Sequence, residues 1–207
     1  MKPQQLREEL QEGDTRDLRR RRGIVVLSLI GMASMAAVTL YQMGLIRHLP
    51  DPPLSRFDSD RVNASDTAYQ YGVPDGTLTL AGHATNAAMA AFGGLRRTDA
   101  QPWVPIAASG KAGAEAAIAT KYLFYQMPVV EKKWCGYCII DALMHIGTFA
   151  LTLPEAARAL HVLMNHQPSN LEPQDEVTYA DRSSIFHARR PYSDRSHFSH
   201  VRTQQNR

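Results

Sequence analysis

At 207 residues with ordinary apolar content, the chain is long enough for one folded domain with flanking segments, and composition alone does not single out a membrane protein. The net charge of +3 arises from arginines gathered at the two ends and in one short loop, a pattern that fits cytoplasmic flanks of a membrane protein better than a nucleic-acid surface. Only two cysteines occur, Cys135 and Cys138, which excludes a secreted scaffold stapled by several disulfides.

Apolar residues are concentrated between Gly23 and Leu163, so only this stretch can build a core. Residues 1–22 form a basic segment ending in Arg19, Arg20, Arg21 and Arg22, and are expected to be a disordered cytoplasmic tail. The uncharged run Ile24 to Ile46 that follows has about 23 residues, enough to cross a hydrocarbon layer of ~30 Å. A cleaved signal peptide is the competing reading, but its apolar core would hold only about 7–15 residues. The four arginines place the N-terminus on the cytoplasmic side.

Residues 47–75 are polar and broken by Pro50, Pro52, Pro53 and Pro74, which predicts an outer loop with a short helix near Ser65 to Tyr71. Thr77 to Gly94 is rich in small residues, which suit a helix packed closely inside a bundle, and is closed by Arg96 and Arg97. Trp103 to Val130 predicts a third crossing, although it carries Lys111, Glu115 and Lys121. Charges near a membrane centre cost about 2.5–3.5 kcal/mol each, so they need partners. Lys111 and Glu115 stand four apart and can neutralise one another on a helix; snorkelling at the cytoplasmic interface and a functional relay are both open readings.

The fourth apolar stretch, Cys135 to Leu153, is expected to stop at Pro154, with Glu155 to His166 forming an amphipathic surface helix. Residues 167–207 are polar and rich in Arg and His, and a disordered tail is expected there, its His187, His197 and His200 solvated rather than ligating. The fold class expected is therefore all-α: a four-helix transmembrane bundle over 23–166 with polar tails. Both termini and Arg96–Arg97 fall inside, and the cysteines fall at the outer face with Lys132 and Lys133.

Cysteines three apart at the first turn of a helix share a face and can close a small, reducible disulfide. A thiolate there meets the positive end of the helix dipole, worth about 0.3–1 kcal/mol, while a full unit of pKa depression needs about 1.36 kcal/mol. Half of a zinc site and two inert buried thiols are the competing readings. No second CxxC or HxxxH partner occurs in the outer segments, where only His48 and His83 could approach, and no metal site is assigned. Trp134 and Tyr137 flank the pair and could stack on a planar ring, or anchor the chain at the membrane interface. Asp141 and His145 share one helix face and could hydrogen-bond a ligand oxygen or move protons; a satisfied structural pair is the alternative, as it is for His83 and Asn86.

The stretch Lys133-Trp134-Cys135-Gly136-Tyr137-Cys138-Ile139-Ile140-Asp141-Ala142-Leu143, after three earlier apolar segments, resembles the last redox helix of the vitamin K epoxide reductase family. Val62, Ser65, Ala68, Gly72, Val73 and Pro74 are similar to that family's loop pattern before its second membrane helix, and the likeness runs from about Ile24 to Leu163. It implies a four-helix bundle enclosing a quinone of the ubiquinone or menaquinone type. Cys135 and Cys138 would pass electrons to it from a thioredoxin-like or other extracytoplasmic dithiol protein, and Trp134, Tyr137, Asp141 and His145 would be candidates to hold it. The family usually has a second cysteine pair in the first outer loop, whereas here Ser59 stands three residues before Val62. The relay is thus absent, and an external dithiol would have to reach Cys135 or Cys138 directly. A non-catalytic partner-binding or assembly protein of the same architecture is the alternative.

Overall fold

The computed structural model describes residues 2–165, and the tail expected at 167–207, with its three histidines, lies outside them. Seven α-helices follow in order: α1 (Pro3–Glu12), α2 (Arg16–Gln42), α3 (Ser59–Asn63), α4 (Asp75–Ala91), α5 (Arg97–Ala100), α6 (Trp103–Lys121) and α7 (Gly136–Asn165). A 3-10 turn, Asp66–Tyr69, precedes α4, and α6 runs on as a π-helical stretch, Tyr122–Glu131. Two of these, α2 and α7, are long and apolar enough to cross a membrane.

The long helices face one another through small and polar side chains. Along α2 the buried positions include Ile24, Ser28, Gly31, Met35 and Val38, and along α7 Cys138, Ala142, His145, Thr148, Thr152, Glu155 and Ala159; both follow the three-to-four spacing of a single helix face. Large apolar side chains such as Val26, Leu29, Ile30, Leu143, Leu153 and Leu160 point outward. Helix α2 packs on α4 and α7, and α6 packs on α7 and, less extensively, on α4.

Two expectations are corrected. The N-terminal segment is helical: Thr15 Oγ1 accepts from the Leu18 amide at 3.2 Å and caps α2, so the arginine run lies inside that helix. Arg22 turns back to donate to the carbonyls of Leu10, Gln11 and Gly13, satisfying groups that the end of α1 leaves open. Arg21 is buried and donates to Ala90, Phe92, Gly93 and Gly94, closing the C-terminus of α4 in the same way. Charge density drew attention to this run, but two of its members serve as long-range helix caps.

The second correction concerns α7, which continues through Pro154 as one helix to Asn165. Proline removes one i→i−4 hydrogen bond. Glu155 offsets that loss: it is buried and binds the Arg97 guanidinium through Nε to Oε1 at 2.7 Å and a terminal nitrogen to Oε2 at 2.6 Å. The expected amphipathic surface helix is thus anchored on one side by an ion pair.

The loop between α2 and α4 is held by carboxylates. Asp51 accepts from both the amide and the hydroxyl of Ser59 at 2.6 Å, and Asp60 accepts from the Leu49 amide at 2.8 Å while pairing with His48 Nδ1 at 2.5 Å. The hydrogen bond to Asp60, then its charge, raises the His48 pKa above the usual histidine value. A raised folded pKa favours the closed loop below the ordinary value of about 6.5, and the contribution fades as pH climbs through the raised one. Amide exchange at Leu49 should therefore accelerate, beyond its intrinsic pH dependence, as pH rises from about 6 to 8. In His48→Gln that extra acceleration should vanish; identical profiles for the two proteins would remove the pair's role.

Candidate functional site

Cys135 and Cys138 form a disulfide across the start of α7, with Cα atoms 5.2 Å apart. Cys135 occupies the position just before the helix, and its sulfur accepts from the Cys138 amide at 3.2 Å, as a capping side chain does. Asn63 Nδ2 donates to the same sulfur at 3.2 Å and to the Ser59 carbonyl at 2.8 Å, while Asn63 Oδ1 lies 3.6 Å from Cys138 Sγ. Two N–H donors thus converge on Cys135, where they would support a thiolate after reduction. The dipole expected from the sequence acts here, whereas Lys133 donates to the Ser55 carbonyl at 2.8 Å.

Cys135 is sealed. Trp134 donates its amide to the Arg56 carbonyl and accepts from the Asp58 amide, so Phe57 and Trp134 pair as a short parallel bridge beside the cysteines in sequence, and Trp134 packs against the core cluster that contains them. Cys135 is 0% exposed, whereas Cys138 borders a half-open cavity of about 360 Å³. Of the residues singled out in the sequence, Cys138, Asp141, His145, Glu115 and Lys121 line that cavity. Trp134 and Tyr137 do not: Trp134 packs against the cluster that holds the cysteines, and the Tyr137 hydroxyl donates to the Pro50 carbonyl at 3.3 Å.

Deeper in, a polar network joins α4, α6 and α7. His83 Nε2 lies 2.8 Å from Asp141 Oδ1, and the His83 and His145 rings stack with centroids 4.0 Å apart. Lys111 Nζ donates to Glu115 at 2.5 Å, to Asn86 Oδ1 at 3.0 Å and to the Gly82 carbonyl at 3.0 Å, and Asn86 Nδ2 donates to Glu115 Oε2 at 2.8 Å. The Lys111–Glu115 pair foreseen on one helix is therefore the centre of a three-helix junction. Two glycines make room for it. A Cβ on Gly31 would overlap the His83 ring, and one on Gly82 would stand 2.6 Å from Glu115 Oε1.

Asn63 escaped the sequence reading, because its partners are 72 and 75 positions away and α3, which carries it, is only five residues long. Ser59, noted only for replacing an expected cysteine, is one hydrogen-bonded residue removed from Cys135. The position of that missing loop cysteine is thus joined to the Cys135–Cys138 disulfide through Asn63.

A family model described as the vitamin K epoxide reductase family matches residues 23–153, a span that includes α4, α6, both cysteines and most of α2 and α7. No curated protein and no solved structure matches the chain.

Proposed function

The chain belongs to the vitamin K epoxide reductase family, and on that premise we propose that it is a membrane thiol–disulfide oxidoreductase linking an extracytoplasmic dithiol to a quinone through Cys135 and Cys138. Family membership and the two apolar helices support a redox function in a membrane. In this reading α2, α4, α6 and α7 form a four-helix transmembrane bundle, both termini are cytoplasmic and the cysteines lie at the outer face. An apolar exterior around polar inner faces suits such a setting, since lipid supplies no partners for buried polar groups.

The observation that carries the proposal is a disulfide of which one sulfur, Cys138, borders a cavity with both apolar and polar walls. Met35, Leu78, Ile118 and Ala142 offer apolar contact there, while Asp141 and His145 offer polar groups, and the volume falls within the range of about 300–1,000 Å³ usual for ligand sites. These walls fit a quinone head group of the ubiquinone or menaquinone type, which when bound would accept two electrons and two protons. The chain's own groups have separable tasks. Cys138 faces the acceptor, Cys135 closes the disulfide behind it, and Asn63 and the Cys138 amide hold the Cys135 sulfur. In this reading Asp141 and His145 deliver protons, Trp134 closes the outer side, and Tyr137 fastens α7 to the loop. The balance is one dithiol oxidised to a disulfide for each quinone reduced to quinol. Without loop cysteines, a thioredoxin-like or other dithiol partner must act on this pair itself.

Redox trapping in native membranes tests this directly. After a thiol load the pair should be reduced, and added ubiquinone or menaquinone analogue should restore the Cys135–Cys138 disulfide within the assay. A pair that stays in one state whatever the quinone would overturn the oxidoreductase reading in favour of a non-catalytic assembly or partner-binding protein.

A further inference from the structure

We propose that the Tyr122 hydroxyl is a further binding group for the reaction: it donates a hydrogen bond to a carbonyl oxygen of the quinone beside Cys138 and steadies the charge that gathers there during reduction. The inference rests on the quinone reading above and adds to it a residue that neither the cysteine motif nor α7 supplies. Tyr122 opens the π-helical stretch that follows α6. Its ring packs against the core cluster that contains Cys135 and Cys138, and it lines the same cavity as Cys138. Its hydroxyl oxygen is buried and makes no hydrogen bond. A phenol ordinarily finds a partner once it is buried, because an unpaired group forfeits the bond it had with water.

Chemical complementarity singles out this hydroxyl among the polar groups of the cavity. A quinone carbonyl oxygen can only accept, so its partner must offer a proton, which the ionised carboxylates of the wall, Asp75, Asp141 and Glu115, do not. The amide donors are committed elsewhere. Asn63 Nδ2 serves Cys135 Sγ and the Ser59 carbonyl, and Gln126 Nε2 serves Thr67 Oγ1 at 3.0 Å and Glu131 Oε1 at 2.9 Å. Thr79 Oγ1 donates to the Asp75 carbonyl at 2.9 Å. His145, the proton source of the reading above, has its ring nitrogens 3.6 Å from Asp141 and Glu115. Lys121 and Tyr71 are exposed. Tyr122 is left as the buried hydroxyl of this cavity without a partner. As two electrons pass from the closing Cys135–Cys138 pair, charge builds on the quinone oxygens, and a neutral donor fixed there stabilises it while keeping its own proton. The two protons that complete the quinol come from the groups already named.

Tyr122→Phe keeps the ring and removes only the oxygen. In full-length protein in detergent the two half-reactions are followed separately: reduction of the Cys135–Cys138 disulfide by dithiothreitol, and its re-formation on addition of a short-chain ubiquinone or menaquinone analogue. The variant is expected to lose about 10–100-fold in the rate of re-formation at saturating quinone, with the half-saturating concentration changed far less, because the bond strengthens as charge develops. Its reduction by dithiothreitol should keep the wild-type rate. Apart from turnover, the infrared carbonyl band of an isotope-labelled analogue bound to the oxidised protein should lie at higher frequency in Tyr122→Phe than in wild type, as a lost hydrogen bond requires. Tyr125→Phe, at an exposed position of the same stretch, should match wild type throughout. An intact disulfide and an unchanged SDS midpoint establish that a variant is folded, and Tyr122→Met removes the same hydroxyl should Tyr122→Phe fail that check. Wild-type quinone kinetics or an unshifted carbonyl band in a folded variant would overturn the proposal, as would equal slowing of both half-reactions, which a packing role predicts. A wild type whose disulfide ignores quinone would instead remove the quinone reading, and this role of Tyr122 with it.

Discussion

Cys138→Ser is expected to reduce quinone-dependent dithiol oxidation by about a thousandfold or more, to the background of thiol autoxidation, because a covalent relay has no bypass once one sulfur is gone. Cys135→Ser should be equally inactive, yet the two variants should differ in the thiol they leave behind. The Cys138 thiol retained by Cys135→Ser borders the cavity, whereas the Cys135 thiol retained by Cys138→Ser has no exposed surface. A small uncharged maleimide should therefore label Cys135→Ser in the folded state and Cys138→Ser only after denaturation. Equal labelling rates would mean that Cys135 is not sealed. Retained quinone-linked turnover in either variant would remove the pair from the mechanism.

The elements the sequence disclosed are those in which local pattern and tertiary role coincide. Most of the run Ile24–Ile46, the small-residue stretch after Pro74 and the apolar stretch Cys135–Leu153 each fall within a long helix, although the first of these helices ends at Gln42, because length and composition suffice to predict one. The cysteine spacing likewise needed only one turn of helix to become a bond. Groups that act across the fold were illegible for the opposite reason. Asn63 meets Cys135, His83 meets Asp141 and Arg21 meets the end of α4 over separations of 72, 58 and about 70 positions, and no periodicity encodes such meetings. Arg21 and Arg22 were further masked by their own chemistry, since a basic run beside an apolar segment already has a sufficient explanation in membrane orientation. The π-helical stretch Tyr122–Glu131 was missed because an i→i+5 register has no residue signature; Pro128 lies within it, and Lys132 ends it in the left-handed region at φ 56°. Trp134 shows a different limit. Its place beside the cysteines was evident, but whether it faces a ligand or closes a loop depended on the backbone bridge to Phe57.

Pro154 offers the sharpest contrast between local rule and tertiary outcome, and the residue after it should dominate stability at the opposite end of the molecule from the disulfide. Glu155 and Arg97 are buried together, and the guanidinium spends its other donors on the Met89 and Phe92 carbonyls at 2.7 and 3.0 Å. Glu155→Ala strands that cation where water cannot reach it, which should cost about 3–5 kcal/mol, a large share of the roughly 5–15 kcal/mol that holds a typical domain together. The loss should appear as an earlier midpoint when the protein in mild detergent is unfolded by added SDS. Helix α7 beyond Pro154 should fray with it, seen as faster amide exchange from Ala156 to Leu163. If pairing is the cause, removing both charges together, as Arg97→Met with Glu155→Leu, should recover most of the midpoint, because an apolar pair of similar volume imposes no desolvation cost. If the double variant instead falls as far as the sum of the singles, the Arg97 contacts to α4 outweigh the pair, and α7 is carried past its proline by packing alone.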